Sequence, residues 1–199
     1  MAVSWDKFVP DIIREVPKCP KILIIDTIKD VIREVCEDTK IWQNEDAISF
    51  VLPANQNYFD VSSLIPDGSE IDAIVWIKQD PSSYYDLSNY MSYYLDNDNI
   101  IRFTTINGRD LTLYARFSFK PTLDATTIPD LFYNRCRFAI KHGVLFTLMS
   151  QTNTDWFNAN GAVFHQSQYF RFLAQIKRNL WKGRTRQRIY VSAPRRFDV

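Results

Sequence analysis

The chain of 199 residues has only five glycines, and they stand singly at Gly68, Gly108, Gly143, Gly161 and Gly183. A loop that cradles phosphates on consecutive backbone N–H groups needs clustered glycines, so nucleotide-binding motifs of that kind are excluded. Cysteine is scarce too. Cys19, Cys36 and Cys136 cannot all pair and none forms a CxxC motif, so reduced thiols in a cytosolic setting are expected. The only two histidines, His142 and His165, make no HxxxH and have no cysteine at ligand spacing. They fall on two predicted helices and could meet in space, but the plain expectation is interhelical or surface histidines and no metal. No serine lies within GxSxG, and no Cys–His signature occurs.

Long apolar runs are missing as well. Lys, His or Asp interrupts each within a few residues, which excludes a membrane-spanning helix. The opening "MAVSWDKFVPD" has no basic start followed by an apolar core, so no signal peptide is expected. Carboxylates are plentiful, but Glu34, Glu37 and Asp38 read as the wet face and end of a helix. Asp96 and Asp98 in "DNDN" read as a turn, short of the ligand set of a calcium-binding loop. The expectation is therefore a protein that is not an enzyme and holds no cofactor.

What is present is aromatic. Phe, Tyr and Trp make up 15% of the chain, and surplus rings often go to interfaces. Charge is nearly balanced at +1, from 24 basic and 23 acidic residues, but it is unevenly placed. The final "WKGRTRQRIYVSAPRRFDV" holds six of the basic residues and one acidic one, which leaves 18 basic and 22 acidic residues before it, a net of −4. Between Asn55 and Asn99, eight Asp or Glu face one lysine, Lys78. The basic end and the acidic body are charged for each other, or for copies of each other.

Ser4 is placed to cap a helix through about Val16, stopped by Pro17 and Pro20. From Pro20, "KILIIDTIKDVIREVCEDTK" puts Ile24, Ile28, Val31, Ile32, Val35 and Cys36 on one helical face. After Trp42 the period changes. "AISFVL" and "NYFDVSSL" are strand-like, "EIDAIVWIK" reads as a strand of the buried kind, and "RDLTLYARFSF" alternates with Leu111, Leu113, Ala115, Phe117 and Phe119 on one face. Asn107-Gly108 predicts a hairpin between "IIRFTTI" and that last strand, so one small antiparallel sheet is expected.

Pro129 is expected at the first position of a helix with Phe132, Cys136, Ala139, Ile140, Gly143 and Thr147 as its inner stripe. A last helix, about Ala159 to Trp181, is expected to turn Val163, Phe170, Leu173, Ala174 and Leu180 inward and to end at Gly183. The fold class is α+β: a helical bundle from the N- and C-terminal segments with a small antiparallel sheet inserted in the middle. Residues 1–182 read as one domain, with the β insertion at about 45–120, and 183–199 as an extended basic arm.

Two patches are candidates for binding. Tyr84, Tyr85, Tyr90, Tyr93 and Tyr94 form a tyrosine-rich stretch whose hydroxyls suit another protein's surface better than a core, the alternative being an edge strand folded on its own sheet. In the arm, Arg184, Arg186, Arg188, Arg195 and Arg196 offer charge-assisted bonds, and Ile189 and Tyr190 offer β-prone surface for strand addition. A solvated tail, or one that follows phosphates, is the alternative.

The order of elements resembles the head-to-tail connector (adaptor) proteins of tailed bacteriophages, and is similar to the tail tubular protein A-like gatekeepers. The resemblance rests on "TIKDVIREVCEDTKIWQ", "YFDVSSLIPDGSEIDAIVWIK" and the stretch from "LTLYARFSFKP" to "FLAQIKRN". Within them it rests on Trp42, Tyr58, Pro66, Pro121, Pro129, Asp130, Trp156, Asn158, Ala162 and Phe170. It implies a virion structural protein in the neck between head and tail, present in the host cytoplasm during assembly. It further implies a dodecameric ring bound to the portal protein and to a tail or tail-tube protein, with genomic DNA passing through the lumen without sequence-specific contacts and with no membrane partner. The alternative from the residues alone is a nucleic-acid-binding protein that uses its basic arm.

Overall fold

The computed structural model describes residues 2–184 except 84, 90, 97 and 98. It is a mixed α+β fold with two apolar cores, one helical and one between two small sheets. Strand β1 (Ala2–Ser4) pairs antiparallel with β8 (Thr127–Pro129). A short 3-10 turn at Trp5–Lys7 and helix α1 (Val9–Ile13) follow β1, in place of one helix from Ser4 to Val16. The break has a tertiary cause. Trp5 Nε1 donates to the Ala125 carbonyl at 2.8 Å, and this bond and the β1–β8 ladder fix the chain before a longer helix can start.

Helix α2 (Lys21–Thr39) buries the stripe its spacing predicts: Ile24, Ile28, Val31, Ile32, Val35 and Cys36. Helices α3 (Arg137–Met149) and α4 (Ala159–Arg184) pack against it. A single π turn, Phe132–Cys136, leads into α3. Pro129 is therefore the last residue of a strand and not the first of a helix. Its partner is Ala2, and the missing N–H of a proline is tolerated at a strand end. Thr147 is exposed, with Oγ1 donating back to the Gly143 carbonyl at 3.0 Å, so it leaves the inner stripe assigned to it. Helix α4 runs through Gly183 to Arg184. One glycine costs about 1 kcal/mol in a helix interior, too little to stop a helix of 26 residues.

The middle of the chain builds two three-stranded antiparallel sheets where the sequence predicts one. Strands β2 (Ile48–Leu52), β7 (Leu111–Pro121) and β4 (Ser69–Lys78) lie in the order β2-β7-β4. Strands β3 (Tyr58–Asp60), β6 (Ile100–Phe103) and β5 (Tyr93–Asp96) lie in the order β3-β6-β5. β6 and β7 thus belong to different sheets, and Asn107-Gly108 lies on the link between them. A two-residue turn of the tight type needs positive φ at both residues, and neither Asn107 nor Gly108 has it. Instead the link is fastened sideways: Asn55 N–H donates to the Asn107 carbonyl at 2.7 Å, and Ala54 N–H to Asp110 Oδ1 at 2.8 Å. The strands that pair directly in succession are β5 and β6, with Asp96 partnered to Ile100. There Asn99 has φ of 58° and Asp96 pairs with Arg102 at 2.7 Å.

β7 buries Leu111, Leu113, Ala115, Phe117 and Phe119, as its alternation predicts. β4 is an edge strand of the same sheet, broken by two register shifts, with only Ile71 and Ile77 buried. The fully buried strand expected at "EIDAIVWIK" is not formed. Trp42 joins the two cores, with ring centroids 5.9 Å from both Phe119 and Phe132. A polar weld runs beside it. In the first irregularity of β4, Asp72 Oδ2 accepts from Lys40 Nζ at 2.7 Å and from Ser118 Oγ at 3.1 Å. Arg33 and Lys120 both reach Glu70, at 2.9 and 3.6 Å, so α2 and the sheet are held by ion pairs as well as by apolar contact.

Candidate assembly surfaces

The tyrosine-rich stretch connects β4 to β5. Tyr85 is 65% and Tyr94 54% exposed, whereas Tyr93 is half-buried. Tyr93 Oη donates to Asp86 Oδ1 at 2.8 Å, and burial together with the Asp86 carboxylate pushes its phenol up. Its ring also packs near Phe103, with centroids 6.4 Å apart. Tyr93 is thus a support of its own sheet, and Tyr85 and Tyr94 are the rings left for a partner. Tyr84 and Tyr90 lie outside the described residues.

The loop is held by its own polar groups. Ser82 donates to Asp80 Oδ1 through both N–H and Oγ, at 2.8 and 2.7 Å, and those bonds hold the Asp80 carboxyl below its usual value. Lys78, the single lysine of the acidic stretch, donates to the Ser83 carbonyl and lies over the Trp76 ring at 4.9 Å. Its charge is committed locally, so the surrounding carboxylates keep the patch acidic. Gln79, Asp80, Ser83, Tyr85, Asp86 and Leu87 line an open depression of about 510 Å³ there.

The second surface is helical. Ala162, His165, Tyr169, Leu173 and Ile176 form the buried stripe of α4. Val163 (67%), Phe170 (57%) and Ala174 are exposed, contrary to the inward placement read from the sequence. α4 carries apolar residues on several sides, so apolarity alone gave the wrong phase. Contacts with α2 and α3 settle it. Tyr169 fits where Gly143 leaves room, and His165 meets His142. On α3, Phe138 is 60% exposed and stacks on Phe172 of α4 at 5.7 Å, and Phe164 of α4 is 55% exposed.

Under this surface is a polar chain linking three helices. Glu15, just beyond α1, accepts from Lys141 Nζ at 2.6 Å and from His165 Nε2 at 3.1 Å. With Nε2 donating, His165 presents the lone pair of Nδ1, which accepts from His142 Nδ1–H at 2.7 Å. Both rings are then neutral. Burial lowers both imidazoles, His142 to about 4 with help from His165 and Lys141. Burial would raise Glu15, but the Lys141 bond and the neighbouring positive charges outweigh it and hold the carboxyl below its usual value.

Cys19, Cys36 and Cys136 are free and buried, and burial pushes the Cys136 thiol up to about 12 and that of Cys36 higher still. Among the described residues, no three His, Cys, Asp or Glu side chains are placed to hold a metal ion, and no helix is long and apolar enough to cross a membrane. Of the basic segment, Arg184 is the last residue of α4. Arg186, Arg188, Ile189, Tyr190, Arg195 and Arg196 lie outside the described residues. The exposed apolar side chains of α3 and α4 carried no sequence signal apart from the helix phase. No protein-family model matches the chain, and no curated protein matches it.

Proposed function

We propose that this chain is a head-to-tail connector of a tailed bacteriophage: a structural subunit that forms a ring between the portal and the tail, around the path of the DNA. The observation that carries the reading is the large exposed apolar surface of the helical layer, Phe138, Val163, Phe164 and Phe170, on helices whose inner faces are already filled. Surface of that kind marks protein contacts, and a ring subunit must cover two of its sides. The element order that resembles the connectors is the second support. In this reading the segment after Arg184 docks on the portal, the tyrosine-rich edge of the β region meets the tail or a neighbouring subunit, and no catalytic step is involved. Its place is the virion neck, and it is made in the host cytoplasm.

The test is to mix the full chain with the portal protein of the same phage and image the product. A ring of this protein on one end of the portal is expected, and deletion of residues 185–199 is expected to prevent it while leaving the circular dichroism unchanged. If the portal stays bare and the chain is instead retained on DNA in a salt-dependent way, the reading fails in favour of nucleic-acid binding through the arm.

A further inference from the structure

Asn107-Gly108 does not form the tight turn its sequence predicts, and it stands open to another reaction. In an asparagine–glycine pair the side-chain amide is exposed to attack by the next backbone nitrogen, because no Cβ shields that nitrogen. The chain has two such pairs, Asn107-Gly108 and Asn160-Gly161. Their surroundings are opposite.

Asn107-Gly108 lies on the link between β6 and β7, where Ile106, Gly108 and Arg109 are exposed. Among the described residues, neither the Asn107 side-chain amide nor the Gly108 N–H has a hydrogen-bond partner. A Cβ built on Gly108 would meet nothing within 4 Å, so its nitrogen has free space beside it. The bond from the Asn55 N–H to the Asn107 carbonyl restrains the backbone there, but Asn55 is exposed and such a bond exchanges with water at little cost. Asn160-Gly161 sits instead in the first turn of α4. The Gly161 N–H donates to Asn158 Oδ1 at 2.9 Å, and a Cβ on Gly161 would stand 2.8 Å from Met149 Sδ. Helical backbone also tilts the Asn160 side chain back along the helix, away from the Gly161 nitrogen.

We propose that Asn107 is a site of spontaneous covalent modification, deamidating to aspartate and isoaspartate in the folded chain while Asn160 is preserved. The Gly108 nitrogen gives its proton to hydroxide and bonds to Asn107 Cγ. The Cγ–Nδ2 bond then breaks, and that nitrogen leaves as ammonia after taking a proton from water, which restores the hydroxide. Water next adds to one of the two carbonyls of the five-membered imide and breaks its bond to the Gly108 nitrogen, which regains a proton. Opening at Cγ gives aspartate. Opening at the former backbone carbonyl gives isoaspartate, with the main chain running through Cβ and Cγ, and the new carboxylate then includes the oxygen that accepts from Asn55. Either product adds one negative charge to the β region and displaces no core side chain, so the fold is kept. The reaction needs no partner and is independent of the connector assignment.

The full-length chain is held in mildly alkaline buffer, folded in one series and unfolded in guanidinium chloride in another. Both are sampled over days by peptide mass spectrometry, with zero-time samples digested alongside. Trypsin releases residues 103–109 as one peptide carrying Asn107, and fragment spectra locate any change at Asn160. In the folded chain the 103–109 peptide should gain the mass of an amide-to-acid exchange and divide into two chromatographic species. Asn160 should convert at least about tenfold more slowly folded than unfolded, because it must wait for the helix end to open. Gly108→Ala fits the open space at a φ that is not positive, so it should leave the circular dichroism unchanged and slow the conversion at Asn107 several-fold. Should that variant misfold, the folded and unfolded series of the unaltered chain still decide. A folded chain that keeps Asn107 intact while the unfolded chain converts it would overturn the proposal. So would Asn160 converting as fast as Asn107 in the folded chain, or a folded Gly108→Ala protein converting at the unaltered rate.

Discussion

The ring of Tyr169 lies so close to Gly143 that a Cβ built on the glycine would stand 3.0 Å from Tyr169 Cε2. The same Cβ would stand 2.7 Å from Val31 Cγ1, so three helices meet over this one missing methyl. Gly143→Ala gains about 0.5–1 kcal/mol of helix preference and loses about 1–3 to overpacking. We expect a net loss of stability, measured by urea denaturation. An unchanged or higher midpoint would mean that the three helices can separate slightly without cost.

Phe170 and Leu173 differ in burial although both read as core from the sequence. Leu173 is 4% exposed and Phe170 57%. Leu173→Ala should cost about 2–5 kcal/mol, while Phe170→Ala should stay within roughly 1, as surface changes do. Thermal melts of the two variants side by side decide it, and equal losses would mean that Phe170 is covered in the free chain.

The contrast between α2 and α4 shows what was legible. In α2, beyond a first turn where Ile22 is exposed, the apolar residues recur on one face with charged residues between them, so the spacing names Ile24, Ile28, Val31, Ile32, Val35 and Cys36, all buried. In α4 the inner face is taken by His165 and Tyr169, whose polar tips hide them from a reading based on apolarity, while Val163 and Phe170 remain outside. Strand β7 was legible because its alternation survives burial. The pairing of β6 was not, because Asn107-Gly108 resembles a tight turn and only long-range contacts, such as Asn55 with Asn107, send β6 to the other sheet. Nor could spacing show which tyrosines are supports, since that depends on Asp86 folding back onto Tyr93.

The histidine pair predicts a pH dependence. His142 is lowered to about 4 in the folded chain from an ordinary 6.5, mainly by burial. Above pH 6.5 the ring is neutral folded or unfolded, and the stability it allows is fully present. As the pH falls from 6.5 towards 4 the unfolded chain takes up a proton that the folded chain refuses, so stability declines through that window. His165 is lowered as well and adds to the same decline. The midpoint of urea unfolding should therefore drop between pH 7 and pH 5, and His142→Gln should flatten that drop. A midpoint independent of pH over this range would show that the pair accepts a proton without opening.

The tyrosines of β5 separate folding from assembly. Tyr94 is 54% exposed, and among the described residues its hydroxyl has no hydrogen-bond partner within the chain, so Tyr94→Ser should change stability by no more than about 0.5 kcal/mol. Tyr93 is packed near Phe103 and bonded to Asp86. Tyr93→Ser removes both contacts, whereas Tyr93→Phe removes only the hydrogen bond, at about 1 kcal/mol. The order of melting temperatures should therefore be unaltered chain and Tyr94→Ser together, then Tyr93→Phe, then Tyr93→Ser. If the tyrosine edge is a contact in the assembled neck, Tyr94→Ser should still impair attachment of the next component in a particle-assembly assay, at full monomer stability. A Tyr94→Ser protein that melts early would place this ring with the fold, and one that assembles normally would remove the edge of β5 from the interface.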